Sequence, residues 1–509
     1  MPEVHMARCT RMKFMVGLIV VSAVIITPIT AIFQQARGAE RKSPRLELKP
    51  EKITCRTKEY QGMRGTLYVP EDRTKPDSRT IELPVVVIKS LSPNPDYPIF
   101  RFAGGPGVSN MNLGDNINES DMANHDLVEV GYRGVDGEPL LKHPLFDEIL
   151  KTPDFLSQTG LKEIGRKFAE ACTSLTAAGI DVRQYNILNV VDDTEAARAA
   201  LGYGKINVTG GSYGGSVVMV YCLRYPQSIN RAIMVEAAFP YDIAFGKPAE
   251  FDARLNHINE LWKKNPDAVK KSPDIVRTMR NVLAKLPKEY NGIPIDQSKV
   301  KLMTSFGITN QRSYANMVFD AYVSAEKGDF SSIAAMCLMY EMFMGLIGYP
   351  GDLMAKTYSS VTNPDRNFVS ELDDPDSLIG SPLSMIAWGG FQYSHWPVIS
   401  LVKEHPPTQK SSVETLIFYG SKQTGESFRN KYEANFSHAH WVILDDLGHT
   451  DVWTITAEGT QHLMRTFLNE GIVDTSKFGR IPDWDFTPQA TFHQMLQQMM
   501  QQGRETPKN

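Results

Sequence analysis

The chain has 509 residues, enough for a large core with an inserted second layer. Hydrophobic residues make up 42% of it and charged residues 22%, which excludes a disordered chain and a collagen-like fibre. The formal net charge of −4 provides no basic surface to neutralise phosphates, which argues against a nucleic-acid partner.

The first segment of the chain has the layout of an export signal. Arg8, Arg11 and Lys13 precede an apolar run over residues 14–33, as the charged and apolar regions of a secretory signal do. The run also approaches the roughly 20 residues that span a bilayer. Residues 1–38 are therefore predicted to be a signal peptide or a membrane anchor. The protein is predicted to be exported, periplasmic or extracellular, with anchoring in a membrane through residues 14–33 as the alternative.

Short apolar runs that alternate with helical patterns predict an α/β fold. The predicted strands are residues 83–88, 99–102, 127–130, 206–208, 232–235, 415–419 and 441–444. Residues 192–201 and 212–224 are predicted helices, the first with acidic residues in its opening turn. Strands separated by helices indicate a mainly parallel sheet flanked by helices.

The rhythm of strands stops after the fifth of these segments. Amphipathic patterns such as residues 251–264 predict helices there, so residues 241–407 are predicted to form a helical cap inserted between two strands. The core then consists of residues 50–240 and 408–476. Residues 477–509 are predicted to be a tail that ends in a short surface helix or a frayed end.

The strongest local pattern is Gly-Gly-Ser-Tyr-Gly at residues 210–214, between a predicted strand and a predicted helix. G-x-S-x-G in that context is typical of a nucleophile elbow, a sharp turn that exposes the serine at the edge of the sheet. The flanking positions must be small because the turn brings backbone segments close together, and Gly210 and Gly214 meet this requirement. Ser212 is therefore predicted to be a catalytic nucleophile.

A hydroxyl is a weak nucleophile at neutral pH unless a base takes its proton. His449 follows the last predicted strand, within Leu-Gly-His-Thr. A serine first and a histidine last is the chain order of catalytic sites built on such an elbow. His449 is therefore predicted to be the base, in preference to a loop histidine with a structural hydrogen bond.

An acyl-transfer site also needs N–H donors for the oxygen that becomes negative. The amide of Tyr213, directly after the nucleophile, is the first expected donor, and Gly105 in Gly-Gly-Pro-Gly at residues 104–107 is the second. No Gly-Lys-Ser/Thr follows these glycines, which disfavours a phosphate loop, and the sequence has no H-E-x-x-H or paired C-x-x-C motif. Neither a metal nor another cofactor is expected.

These motifs, in this order, resemble the proline iminopeptidase and tripeptidyl aminopeptidase family of α/β-hydrolases. The likeness spans roughly residues 53–476 and rests on residues 104–107, Tyr-Arg-Gly-Val-Asp at residues 132–136, the Ser212 elbow and Gly448-His449. It implies an α/β-hydrolase fold, a mainly parallel sheet flanked by helices, with an inserted helical cap and no cofactor. By this resemblance Ser212 is the nucleophile and His449 the base, and Gly105 and Tyr213 are the oxyanion donors.

The sequence departs from the family at the acid of the triad. The aspartate expected after the strand at residues 415–419 is replaced by Gln423, which cannot support a charged imidazole. Glu236 ends the apolar run 232–235 and so falls at the carboxyl end of a strand, where such sheets present their sites. A carboxylate in that position needs a partner, which favours a histidine neighbour.

Glu236 is therefore the predicted triad acid. Val-Glu-Ala at residues 235–237 resembles the haloalkane dehalogenases, which take their acid from this strand. Glu426, three residues beyond the expected site, is the alternative acid. The three aspartates closest to His449 in sequence are expected to face solvent; they are Asp445, Asp446 and Asp451.

The family resemblance also implies a disulfide between Cys55 and Cys172, which an exported protein can form. It would tie the first strands to a helix predicted at residues 161–173. Cys222 is expected to be a buried apolar residue.

The resemblance makes an aminopeptidase that acts on short peptides through an acyl-enzyme on Ser212 the leading hypothesis. An esterase or another small-molecule hydrolase is the alternative, because the cap sets the substrate and the fold does not. A non-catalytic binding protein of this fold is the third hypothesis, motivated by Gln423. An exopeptidase needs a carboxylate for the substrate's ammonium group, and Asp320, Glu326 and Glu341 are candidates unless they only cover a solvated helix surface.

Overall fold

The computed structural model describes residues 43–112, 119–149, 151–238, 240–241, 246–345, 348–360, 367–372, 374, 376–421, 429–430 and 432–505. The predicted signal or anchor, residues 1–38, lies outside them. In the described part, no helix is both long enough and apolar enough to cross a membrane.

A nine-stranded sheet forms the centre of the described part. Its strands, with those of a separate two-stranded hairpin (β8 and β9), are β1 (Arg45–Cys55), β2 (Lys58–Pro70), β3 (Thr80–Ile88), β4 (Asp96–Phe102), β5 (His125–Val130), β6 (Ile206–Gly211), β7 (Ile229–Val235), β8 (Glu289–Tyr290), β9 (Ile293–Pro294), β10 (Glu414–Gly420) and β11 (Ala439–Leu444). The order in the sheet is β1-β2-β3-β5-β4-β6-β7-β10-β11. The pairs from β1 to β5 are antiparallel, and those from β5 to β11 are parallel.

The α-helices of the described residues are α1 (Glu119–Met122), α2 (Pro144–Ile149), α3 (Gln158–Ala177), α4 (Ile187–Ala200), α5 (Tyr213–Arg224), α6 (Pro248–Lys264), α7 (Pro266–Lys271), α8 (Ile275–Leu283), α9 (Gln297–Asn310), α10 (Arg312–Glu326), α11 (Ser331–Gly345), α12 (Pro350–Tyr358), α13 (Pro382–Ser384), α14 (Phe391–Ser394), α15 (Leu401–Glu404), α16 (Asp451–Thr454), α17 (Ala457–Glu470) and α18 (Phe492–Glu505). Helices α6 to α15 all lie between β7 and β10 in the chain. Helix α5 joins β6 to β7, the parallel connection that the sequence pattern predicts.

Apolar residues cover the sheet on both faces. In β3, Val85 and Val87 belong to one apolar cluster, and Val86 and Ile88 belong to the other. Successive side chains of a strand point to opposite faces, so a continuous apolar run is what a strand covered on both sides requires. This explains why the strands of the core are readable as short apolar runs.

The hairpin of β1 and β2 was not predicted from the sequence. Most residues of β1 are exposed, with Ile53 and Cys55 as its buried residues, and β1 forms an edge of the sheet. The strand Arg-Leu-Glu-Leu-Lys-Pro-Glu-Lys-Ile-Thr-Cys therefore carries charges where an apolar run would have marked it. Such charges suit an edge strand, because they oppose pairing with another chain.

Helix α4 begins five residues earlier than the sequence pattern predicted. The side chain of Asn186 accepts the backbone N–H of Asn189 and caps the helix. Asp192 and Asp193 consequently lie inside the helix, and the prediction that they form its acidic first turn is wrong. Asp193 makes a buried, bidentate ion pair with Arg133, with both N–O distances at 2.7 Å.

The predicted disulfide between Cys55 and Cys172 is absent. Cys55 packs in the apolar cluster on one face of the sheet, whereas Cys172 of α3 packs in the cluster on the other face. The body of the sheet therefore separates them, and a disulfide cannot bridge it. Cys222 is fully buried in α5, as expected of a small apolar residue.

The C-terminal segment lies on the helices between β7 and β10. Trp484, Phe486 and Phe492 are buried, and the ring centroids of Phe486 and Trp262 of α6 are 5.1 Å apart. The indole N–H of Trp484 donates to the side-chain oxygen of Asn316 of α10 at 2.8 Å. The end of the chain therefore contributes aromatic residues to the packing of these helices.

Candidate active site

Ser212 occupies the turn between β6 and α5 in a strained backbone conformation, with φ 54° and ψ −124°. Few L-residues adopt a positive φ, at a cost on the order of 1–3 kcal/mol. Backbone hydrogen bonds hold the turn: Ser212 N–H donates to Val235 O at 3.0 Å, and Ala238 N–H donates to Ser212 O at 3.1 Å. The serine is thereby fixed beside the end of β7.

The glycines around Ser212 are required by contact. A Cβ on Gly210 would lie 2.3 Å from the backbone carbon of Gly214, and a Cβ on Gly214 would lie 2.1 Å from Phe102 O. Both distances are far below van der Waals contact, and the atoms met are backbone atoms. The strand, the turn and the helix can approach one another this closely only with glycine at both positions.

The glycine loop after β4 approaches the serine. A Cβ on Gly104 would lie 3.3 Å from Ser212 Cβ and 3.8 Å from Ser212 Oγ. Gly105 has φ 122°, a conformation that favours glycine. A Cβ on Gly105 would contact Val108. Tyr213 is the first residue of α5, so its N–H has no partner within the helix. The nearness of Gly104 to the serine is a contact that the sequence pattern did not single out.

Glu236 directly follows β7 and is 1% exposed. Its backbone is also left-handed, with φ 48°. Its Oε1 accepts the backbone N–H of Gly420 at the end of β10, and its Oε2 lies 3.7 Å from His449 Nδ1. This distance is slightly longer than a hydrogen bond, and such contacts between catalytic groups often shorten when substrate binds.

Burial raises the pKa of Glu236 to about 7, although the facing His449 and the N–H of Gly420 favour the charged form. The carboxyl group is thus withdrawn from water and faces a ring nitrogen. Gly420 is a required neighbour, because a Cβ there would lie 2.3 Å from Leu447 O in the loop that leads to the histidine. The sequence analysis did not identify this role of Gly420. The signal that could have indicated it is a glycine at the end of a predicted strand.

The loop of His449 is held by the helices inserted after β7. His449 N–H donates to Thr309 O at 3.1 Å, and Thr450 N–H donates to Asn310 O at 2.8 Å, both at the end of α9. A Cβ on Gly448 would lie 2.8 Å from Asn310 O. The position of the histidine therefore depends on the inserted helices as well as on β11.

Asp451 is fully buried, so the expectation that it faces solvent is wrong. Its carboxylate accepts the N–H of Gly448 at 2.7 Å and the N–H of Arg312 at 3.1 Å. These bonds join the histidine loop to the start of α10. Asp445 is exposed, as expected, and Asp446 is partly buried and binds His257 of α6, with 2.8 Å between Nε2 and Oδ1.

A family model described as the α/β hydrolase fold matches residues 168–313, which include the serine turn and Glu236. Together with the mostly parallel sheet and its helices on both sides, this match decides the class. The chain has the α/β-hydrolase fold. No curated protein sequence matches it.

Several solved structures are similar to this chain. The epoxide hydrolase CorEH is 13% identical, with 83% of this chain and 99% of that chain covered and a TM-score of 0.33. A proline iminopeptidase from Mycobacterium smegmatis is 14% identical, with 80% and 98% covered and a TM-score of 0.32. A putative acyltransferase from Salmonella enterica is 11% identical, with 80% and 96% covered and a TM-score of 0.36.

The remaining candidate residues from the sequence lie partly within the described residues. Gln423 and Glu426 lie outside the described residues, and so does the side chain of Glu341. Glu326 accepts hydrogen bonds from the side chains of Thr278 and Asn281 on α8, which gives it a role between helices. Asp320 is partly buried, and its burial raises its pKa.

A positive charge on helix α6 acts on Glu236. Arg254 of α6 is partly buried, and its charge interacts favourably with Glu236. Burial lowers the pKa of Arg254 to about 10, against the opposing effects of Glu250 and Glu236. Arg254 is one turn before His257, which contacts Asp446, so both residues lie on the face of α6 that meets the histidine loop.

Proposed function

We propose that this α/β-hydrolase is an exported serine hydrolase that forms an acyl-enzyme on Ser212. The observation that carries the proposal is the pairing of the buried carboxylate of Glu236 with His449 Nδ1 beside the strained serine turn. A carboxylate on one nitrogen of an imidazole fixes the tautomer whose other nitrogen can take a serine proton. Triads are recognised by this geometry and not by sequence position.

In the proposed reaction, Ser212 Oγ bonds to the carbonyl carbon of the substrate and its proton passes to His449. The carbonyl electron pair moves onto oxygen, which the amides of Gly105 and Tyr213 stabilise. The C–N or C–O bond then breaks, and the leaving group takes the proton from His449. Water repeats these steps on the acyl-enzyme, which releases the acid and restores Ser212. While His449 carries the proton, its positive charge stabilises the ionised form of Glu236.

The proposed substrates are short peptides, from whose N-termini the enzyme releases residues. The support for this is the order of motifs shared with the proline iminopeptidase and tripeptidyl aminopeptidase family. The proposed export rests on the signal or anchor pattern of residues 1–38. Detection of the full-length or shortened chain in periplasmic, extracellular and membrane fractions tests it.

A specific observation favours the alternative, hydrolysis of small esters. An aminopeptidase needs an anionic group for the substrate's ammonium, whereas the charge of Arg254 acts on Glu236 at this site. An aminopeptidase therefore requires a carboxylate from another part of the chain, whereas an ester requires none.

The test begins with a fluorophosphonate probe, which reacts with activated serines, followed by mapping of the labelled peptide. Labelling at Ser212 supports the serine hydrolase, and an unlabelled protein supports the non-catalytic binding protein. Turnover of aminoacyl-arylamides then supports the aminopeptidase. Turnover of short acyl esters alone supports the esterase.

A further inference from the structure

Helix α12 and the residue before it bind the end of the glycine loop of residues 104–107. Asp352 Oδ2 accepts the backbone N–H of Gly107 at 3.1 Å. The backbone N–H of Tyr349, just before α12, donates to Gly107 O at 3.1 Å. The first turn of α12 therefore binds both polar backbone groups of the residue at which the loop ends.

A buried cation completes this arrangement. Lys356 Nζ lies 2.7 Å from Asp352 Oδ2, and both side chains are 0% exposed. The same Nζ lies 4.7 Å from the centre of the Tyr132 ring, a cation–π distance. The hydroxyl of Tyr132 donates to Ala103 O at 3.1 Å, at the start of the glycine loop. The ion pair is therefore linked to both ends of the loop.

The ion pair also borders the other expected oxyanion donor. The ring of Tyr213 is fully buried, and its centre lies 5.9 Å from Lys356 Nζ and 6.1 Å from the Tyr132 ring. Tyr213 carries the backbone N–H that follows the nucleophile. Lys356 thus packs behind one expected donor and, through Asp352 and Tyr132, behind the loop that carries the other.

Stability alone does not account for the buried ion pair of Asp352 and Lys356. Two charges without exposure lose their hydration, and apolar residues of similar size often replace such pairs without loss of stability. Asp352 Oδ1 has no hydrogen-bond partner among the described residues, and burial raises the pKa of Asp352 to about 6 despite the adjacent Lys356. The acceptor for Gly107 N–H is what an apolar replacement would remove.

We propose that Asp352 and Lys356, with Tyr132, are positioning residues that hold the loop of residues 103–107 at the distance from Ser212 that oxyanion stabilisation requires. This inference rests on the proposed serine hydrolase function and deepens it. Its consequence is that helix α12, far from Ser212 in sequence, controls the rate of acyl-enzyme formation without contacting the substrate.

The test uses paired substitutions that leave no single charge buried. The double variant Asp352→Leu/Lys356→Met removes the acceptor and both charges. The double variant Asp352→Asn/Lys356→Met removes the charges but keeps an oxygen acceptor for Gly107 N–H. The measurements are the second-order rate constant for fluorophosphonate labelling of Ser212, and kcat and KM for p-nitrophenyl acetate.

For the leucine-containing variant we expect kcat and the labelling rate to fall about 100-fold, with KM within about threefold of wild type, as when one oxyanion donor is lost. The asparagine-containing variant should stay within about threefold of wild type in all three quantities. The control is Arg231→Met/Glu414→Leu, which removes an ion pair of 2.9 Å between β7 and β10 and should lower thermal stability without changing kcat.

Wild-type rates in the leucine-containing variant overturn the inference, and so does an equal loss in both double variants. If the leucine-containing variant does not fold, Tyr132→Phe decides, because it removes only the hydrogen bond to Ala103 O. A loss of about fivefold or more in kcat then supports the inference, and an unchanged kcat overturns it. If the wild-type protein is not labelled either, the proposed serine hydrolase function is wrong, and that result is distinct from a failure of the role proposed for α12.

Discussion

Ser212 holds a backbone conformation that few residues other than glycine adopt, and the fold maintains it through bonds to Val235 and Ala238. Glu236 repeats the pattern with φ 48°. Strain at two neighbouring strand ends is typical of sites where side-chain direction matters more than stability. At the residue scale, the conformations of Ser212 and Glu236 are therefore expected to lower the stability of the protein and to serve its function.

The first prediction concerns this exchange at Ser212. Ser212→Ala should lower turnover by about 10⁴-fold or more and leave the circular dichroism spectrum unchanged, because it removes one oxygen and opens no large cavity. Ser212→Gly should be equally inactive but more stable than Ser212→Ala by about 1 kcal/mol, because it relieves the positive φ. Activity assays and urea unfolding measure both effects. An alanine variant with a tenth of wild-type activity would remove Ser212 from the mechanism.

The second prediction concerns Glu236. Because burial raises its pKa from 4.5 to about 7, the folded protein holds a proton that the unfolded chain releases between these pH values. Stability therefore falls as pH rises through this window. Glu236→Gln keeps an acceptor for Gly420 N–H but cannot ionise, so it should be more stable than wild type at pH 8, by at most about 3 kcal/mol. The difference should vanish below pH 4.5 in thermal unfolding.

The same Glu236→Gln substitution should lower kcat by several orders of magnitude, because the imidazolium loses its carboxylate. Asp445→Asn changes an exposed carboxylate near the histidine and should alter neither kcat nor the pH dependence of stability. If Glu426→Gln costs several orders of magnitude in kcat while Glu236→Gln costs less than tenfold, Glu426 is the acid.

At the scale of elements, the site depends on how closely β4, β6 and α5 approach. Gly214 of α5 meets the backbone of Phe102 at the end of β4, so this glycine sets the separation of helix and strand. Gly204 precedes β6, and a Cβ there would meet nothing within 4 Å. The two glycines are close in sequence, but Gly214 is tightly packed and Gly204 has open space beside it.

The third prediction uses this contrast. Gly214→Ala should abolish Ser212 labelling and lower the melting temperature strongly, because a Cβ would lie 2.1 Å from Phe102 O and the strand cannot move freely. Gly204→Ala should leave both unchanged. Differential scanning fluorimetry and fluorophosphonate labelling measure the effects. A Gly214→Ala protein that labels at the wild-type rate would contradict the packing described for the elbow.

The elements of the core were predictable because buried strands are short apolar runs between helices. The hairpin of β1 and β2 was not, since its charged residues satisfy an edge strand and leave no apolar pattern. Glu236 was readable from a charged residue that ends an apolar strand. Asp352 and Asp451 were not, because each accepts a backbone N–H from a residue far away in the chain, Gly107 and Arg312 respectively, which no local pattern reveals.

At the scale of the whole molecule, the inserted helices support the site from several directions. The end of α9 binds the histidine loop, and the start of α12 binds the glycine loop. The C-terminal segment in turn supports α6 and α10 through Trp484 and Phe486. The last residues of the chain are thereby connected to the site through the helices they cover.

The fourth prediction is that truncation after Ser476 destabilises the protein. Trp484, Phe486 and Phe492 are buried, and each contributes about 2 kcal/mol by the area it removes from water. Their loss exposes Trp262 and breaks the hydrogen bond from the Trp484 indole to Asn316. The truncated protein should aggregate or melt at least about 10 °C lower. Truncation after Glu505 is the control. An unchanged melting temperature in the protein truncated after Ser476 would contradict the prediction.

The position of this aromatic segment also bears on when the protein can fold during its synthesis. Helix α10 leaves the ribosome long before Trp484 and Phe492 do, by roughly ten to thirty seconds at about 5–20 residues per second. Until then, the surface that Phe486 covers on Trp262 stays open, and the helices that hold the histidine loop lack part of their support. Helix α10, which binds the histidine loop through Arg312, therefore gains this part of its support only after Trp484 and Phe486 have emerged.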